Sequence, residues 1–180
     1  MKSTLRKLIP LFGLLLLLAC TNSTTSNQGM ALLEAIDNGD SSKVEQLLTD
    51  EIDPDVYPLP PGQLLSGAFP LHLAVAKGEP EIVKTLLTHG AKIDLKAGNQ
   101  DEATPLHWAV FFLQKEIVSI LLAEGAPVNS LDAHGGTPVD TAYYIRKVNK
   151  DEIIQSVIIE DILLLLLFNG GLAAEDLHDG

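Results

Sequence analysis

The most constraining feature of this chain is that it repeats itself. Ala68-Phe-Pro-Leu-His-Leu-Ala-Val returns thirty-five residues later as Ala103-Thr-Pro-Leu-His-Trp-Ala-Val. In the same frame, Glu81-Ile-Val-Lys-Thr-Leu-Leu-Thr-His-Gly-Ala returns as Glu116-Ile-Val-Ser-Ile-Leu-Leu-Ala-Glu-Gly-Ala. A weaker copy opens at Gly136-Thr-Pro-Val-Asp-Thr-Ala, thirty-three residues after the second. A degenerate copy stands first, carried by Leu32, Ala35, Gly39, Val44, Leu47 and Leu48. A unit this short cannot bury an apolar face alone, so the copies must stack on one another in a quasi-one-dimensional array.

The residues inside a copy indicate a pair of helices. Pro70, Pro105 and Pro138 fall where a first helical turn starts, the position whose amide has no intrahelical partner. Thr104 and Thr137 precede two of them and can cap those helices through their hydroxyls. Gly78 allows a tight turn to a second helix. In that helix Ile82, Val83, Leu86 and Leu87 form an apolar stripe. Gly90 and Gly125 suit the left-handed residue that ends it, and a short hairpin-like loop such as 93–103 leads onward.

A period near thirty-three with Thr-Pro-Leu-His resembles the ankyrin repeats, over residues 30–171. The resemblance implies an all-α solenoid of about four helix-turn-helix units joined by hairpin-like loops, with degenerate terminal caps. The units run approximately 30–63, 64–98, 99–131 and 132–171, within a domain 30–180 that ends in a tail, 172–180. Several positions depart from the pattern. Phe69 replaces the capping Thr. Leu113 replaces the turn Gly, so that turn is expected to differ. Ala97-Gly98 is an excess at a loop tip. The connection 53–63, with prolines at 58, 60 and 61, is long, and the last unit is expanded around 146–161. The run Ile162-Leu-Leu-Leu-Leu-Leu-Phe is too short to span a bilayer, with Glu160 and Asp161 at its edge, and is expected to be the buried face of the last helix.

The first nineteen residues have a different logic. Lys2, Arg6 and Lys7 precede an apolar run from Leu8 to Ala19, and the run ends Leu17-Leu18-Ala19-Cys20. This reads as a signal peptide, 1–19, and its end resembles the lipobox of bacterial lipoproteins. That resemblance implies lipidation of Cys20 and cleavage before it. Residues 20–29 then form a polar tether reaching roughly 30 Å when extended. Cys20 is the only cysteine, which excludes an intramolecular disulfide. Without residues 1–19 the chain has nine Lys and Arg against 24 Asp and Glu, a net −15 with His neutral. That balance argues against nucleic acid and favours either a basic partner or simply solubility.

No catalytic constellation stands out: no Gly-x-Ser-x-Gly elbow, no His-Glu-x-x-His pair and no phosphate-binding glycine loop occurs. No enzyme activity, cofactor, metal or small-molecule substrate is therefore expected. His72 and His107 lie in the Pro-Leu-His step, where the resemblance implies a ring bonded to backbone of the neighbouring turn. The same resemblance places partner recognition on loop tips and on the exposed ends of the first helices. Carried over residue by residue, it points to Ser66, Lys77, Gln100, Asp101, Phe111, Phe112, His134 and Tyr144, with Ile145 beside Tyr144.

Phe111 and Phe112 cannot both point into one core stripe. Either at least one is exposed as an interface anchor, or both fill space beside the altered turn at Leu113. Trp108 occupies the core step held by Leu73 one unit earlier, and Tyr143 is also expected in the core. The function implied is a membrane-tethered protein-binding module facing the periplasm, with another folded protein as partner. Two roles stay open: an immunity protein that inhibits a secreted antibacterial toxin, or a scaffold or chaperone-like partner of a resident enzyme, as in oxidative-stress protection. Thr21 after Cys20 points to the outer membrane if the cell has one.

Overall fold

The computed structural model describes residues 28–178 apart from 51, 56–57 and 63–64. Cys20, its signal peptide and most of the tether lie outside the described residues. Among those described the fold is all-helical and contains no strand. Helix α1 covers residues 28–37, followed by α2 (Ser41–Thr49), α3 (Pro70–Lys77), α4 (Pro80–Thr88), α5 (Pro105–Phe111), α6 (Lys115–Ala123), α7 (Pro138–Val148), α8 (Ile153–Phe168) and a 3-10 turn, Ala174–His178. Gln28 and Gly29, expected in the tether, belong to α1, and Gly29 is buried.

The helices pair in sequence and stack in two rows. One row runs α3, α5, α7; the other runs α2, α4, α6, α8. Helices of seven to nine residues are far too short to be stable alone in water, so packing between units must hold them. In the first row this burial is nearly all-round: every residue of Pro70–Val75 and of Pro105–Val110 is buried. The second row is amphipathic. In α4, Ile82, Val83 and Leu86 face inward while Glu81, Lys84 and Thr88 meet solvent. Each fully buried Leu in such a row contributes about 1.5–3 kcal/mol. Leu86 and Leu121, thirty-five residues apart, are both wholly inaccessible.

The turn at Leu113 does not differ from its counterparts, contrary to expectation. Gly39, Gly78 and Leu113 all take left-handed backbone, with φ of 67°, 73° and 58°. Their hydrogen bonds correspond as well. Gly78 N–H donates to Val75 O and Glu79 N–H to Ala74 O; Leu113 N–H donates to Val110 O and Gln114 N–H to Ala109 O. Packing of the flanking helices forces the conformation, and Leu113 bears the strain.

The last helix departs from expectation too. Ile162, Leu163 and Leu166 are buried, but Leu164, Leu167 and Phe168 are exposed. Only one side of α8 has a neighbouring pair to pack on, so an unbroken apolar run cannot all be covered. Among the described residues no helix is long and apolar enough to cross a membrane.

Candidate partner-binding groove

The Pro-Leu-His step is what positions the groove. The buried imidazole of His72 approaches Ala103 O at 3.1 Å through Nε2, and that of His107 approaches Gly136 O at 3.1 Å. Each ring thereby fastens its first helix to the loop that opens the next unit. In the third copy Asp140 replaces His, and the bond reverses polarity: Asp140 Oδ2 accepts from Ala174 N–H at 2.9 Å. Burial pushes His72 down to about 4, against the opposing effect of its bond to Ala103, and also lowers His107. Both rings are therefore neutral structural struts at physiological pH.

The loops so fastened project as tips. Asp132 Oδ1 accepts from His134 N–H and Gly136 N–H at 2.8 and 2.9 Å, which shapes one tip. Ala133 N–H donates to Asp101 O at 2.8 Å, tying that tip to its predecessor. Across the same gap His134 Nε2 lies 3.1 Å from Asp101 Oδ1.

Between these tips and the ends of α5 and α7 lies a groove of about 660 Å³. Its aromatic lining comes from Trp108, Phe111, Phe112 and Tyr144, and its polar lining includes Asp101, Asp132, His134 and Asp140. The rings form a chain: Trp108 and Phe112 centroids are 5.8 Å apart, and Phe111 meets Phe112 edge-on at 5.2 Å. Phe111 is 50% exposed and Tyr144 59% exposed. Both hold the same place in consecutive units, thirty-three residues apart, so one stands beside the other along the array.

Six of the eight residues expected from the sequence thus come together here: Ser66, Asp101, Phe111, Phe112, His134 and Tyr144. The alternatives for the Phe pair divide between them. Phe111 is exposed, while Phe112 is half-buried and packs on the core beside Leu113. The other two do not join. Gln100 is exposed but outside the groove lining. Lys77 also lies outside the lining and instead pairs with Asp37 at 3.0 Å. Ile145, expected beside Tyr144, is buried, because it falls on the core face of α7. Tyr143, expected in the core, is exposed, with the Arg146 guanidinium 4.9 Å from its ring centroid. Trp108 is buried as expected yet also lines the groove, and Asp132 and Asp140 were not singled out by sequence. The column shared by Leu73, Trp108 and Thr141 was the available signal for the first of these.

A family model described as ankyrin repeats (three copies) matches residues 9–97, 32–132 and 71–165. The chain belongs to the ankyrin-repeat family. No curated protein compared with the chain matches it. Ankyrin repeats are in general a non-enzymatic fold that binds other folded proteins, and membership implies a protein-binding module. Among the described residues no cluster of His, Cys, Asp or Glu is arranged to hold a metal ion.

Proposed function

We propose that this ankyrin-repeat protein is a lipid-anchored binding module of the bacterial cell envelope. Its groove holds a folded partner within a short tether's reach of the outer membrane, on the periplasmic side. The observation that carries the reading is the pairing of exposed Phe111 and Tyr144 in one concave groove. Aromatic side chains are enriched in protein interfaces, and Tyr among their energetic anchors. The anchor rests on Leu17-Leu18-Ala19-Cys20 and the polar stretch behind it. Palmitate labelling of the wild type, lost in Cys20→Ser, tests that part.

The partner we favour is a secreted antibacterial effector that this protein neutralises. A small, strongly acidic binder placed by a tether where a lipid- or wall-attacking toxin acts fits that role. The alternative is a scaffold for a resident envelope enzyme. A pull-down from envelope extract tests binding itself: wild type retains a partner, and Phe111→Asp with Tyr144→Asp loses it while the helical CD spectrum persists. Equal retention by both proteins removes the groove from the interface. Protection of cells against the retained protein then separates neutralisation from scaffolding.

A further inference from the structure

The groove lining combines aromatic and anionic side chains. Of its described lining residues three are Asp, at 101, 132 and 140, and none is Lys or Arg. Each of these carboxylates engages one oxygen and leaves the other outside the hydrogen bonds of the described residues. Asp140 Oδ2 is taken up by Thr137 N–H and Ala174 N–H, both at 2.9 Å. Asp132 uses Oδ1 for the two amides of its own tip, and Asp101 Oδ1 faces His134. Asp101 Oδ2, Asp132 Oδ2 and Asp140 Oδ1 have no hydrogen-bond partner among the described residues. A partner that seats an apolar group here would strip water from these oxygens and give nothing back, which disfavours it. A cation removes that penalty, and the exposed rings of Phe111 and Tyr144 in the same lining offer it cation–π attraction.

We infer that the groove receives an arginine side chain from a basic segment of the protein partner. The inference rests on the reading of the groove as the partner-binding face. Arginine fits better than lysine because a planar guanidinium stacks on an aromatic ring and forks onto carboxylate oxygens in one pose. The adjoining helix turn shows the same chemistry within the chain, where the Arg146 guanidinium sits over the Tyr143 ring. The excess of acids over bases, net −12 for the whole sequence, draws a basic segment toward the site.

Trp108 is the only tryptophan and lines the groove, so its emission reports occupancy directly. The probe is a short peptide alternating Gly and Arg, compared with the same peptide carrying citrulline, which keeps the shape and loses the charge. Both are titrated into the full chain in non-ionic detergent. The arginine peptide is expected to give a saturable change, with the citrulline peptide about tenfold weaker or more. Asp101→Asn with Asp132→Asn should weaken the arginine peptide about tenfold, since Asn keeps the Oδ1 acceptor that shapes the tip. Glu116→Gln with Glu124→Gln removes equal charge from exposed sites on and just after α6 and should leave binding within about twofold. Equal response to citrulline, or equal weakening by both charge-removing pairs, overturns the inference. If the Asp132 change unfolds the tip, Asp101→Asn alone and the citrulline comparison still decide. A pull-down partner lost with Phe111→Asp and Tyr144→Asp but indifferent to the two Asn changes would leave the binding groove standing and sink the arginine.

Discussion

Phe69 leaves His72 Nδ1 without a hydrogen-bond partner among the described residues. One unit later, Thr104 stands at the equivalent place, its hydroxyl 2.8 Å from His107 Nδ1 and its N–H donating to that nitrogen at 3.3 Å. Phe69 has no hydroxyl. Its ring lies 6.1 Å from the imidazole centroid, and His72 Nδ1 is buried with no hydrogen-bond partner among the described residues. An unsatisfied buried acceptor costs about 1–3 kcal/mol, whereas the half-buried Phe ring contributes about 1 kcal/mol. Phe69→Thr should therefore stabilise the fold by about 1 kcal/mol in urea unfolding. A lower midpoint with the variant would mean that the ring's packing outweighs the missing bond.

The same imidazole makes stability depend on pH. Burial lowers His72 to about 4 from an unfolded value of 6.5, and His107 moves in the same direction for the same reason. A depressed folded value means the fold favours the neutral ring. The stabilisation is complete above about pH 6.5 and is lost as pH falls toward 4, by about 2 kcal/mol at pH 5 from His72 alone. His72→Gln keeps a donor but does not titrate. Its unfolding free energy should fall less steeply than wild type between pH 6.5 and 5, measured in urea at fixed ionic strength. Parallel slopes would show that His72 is not the group responsible.

What was legible in the sequence follows from what repeats. Pro70 and Pro105, the Leu pairs and Gly90 and Gly125 recur in frame, and each acts locally, so helix order and most of the core followed directly. Leu113 was misjudged because residue identity argued for a different turn, while the helices on both sides impose the same one. Phe111 and Tyr144 were legible as a column. Trp108 and Asp132 were not, because the first is both core and groove wall and the second acts through a loop shape that no single residue type signals. The expansion of the last unit was legible; which leucines of α8 lack a neighbour was not, since that depends on where the stack ends.

Leu113 gives a prediction with an unusual sign. Its left-handed φ of 58° costs an L-residue about 1–2 kcal/mol that glycine does not incur. Its side chain is half-buried against the core, so shortening it also loses apolar contact. Leu113→Ala loses the contact and keeps the strain; Leu113→Gly loses the contact and relieves it. Glycine should therefore be the more stable of the two by about 1 kcal/mol in urea unfolding, the reverse of the usual order for these residues near a helix. Alanine at or above glycine in stability would show that the turn carries little strain.

Asp140 closes the array, and restoring the histidine of the earlier copies should not substitute for it. His72 and His107 approach carbonyls, but the group facing Asp140 is the N–H of Ala174. A neutral imidazole at 140 that accepts from Thr137 N–H, as His107 accepts from Thr104 N–H, must carry its proton on the other nitrogen. Two donors would then face each other. Asp140→Ala removes the acceptor for both Thr137 N–H and Ala174 N–H and should cost about 2 kcal/mol. Asp140→His should recover less than half of that, and Asp140→Asn more, because its carbonyl still accepts. Hydrogen exchange at Ala174 is the local readout: protection should drop with Ala and with His and be partly kept with Asn. A histidine variant as stable and as protected as wild type would mean that the ring finds a carbonyl here as well, and that the reversed polarity of this last fastening is not what holds the end of the stack.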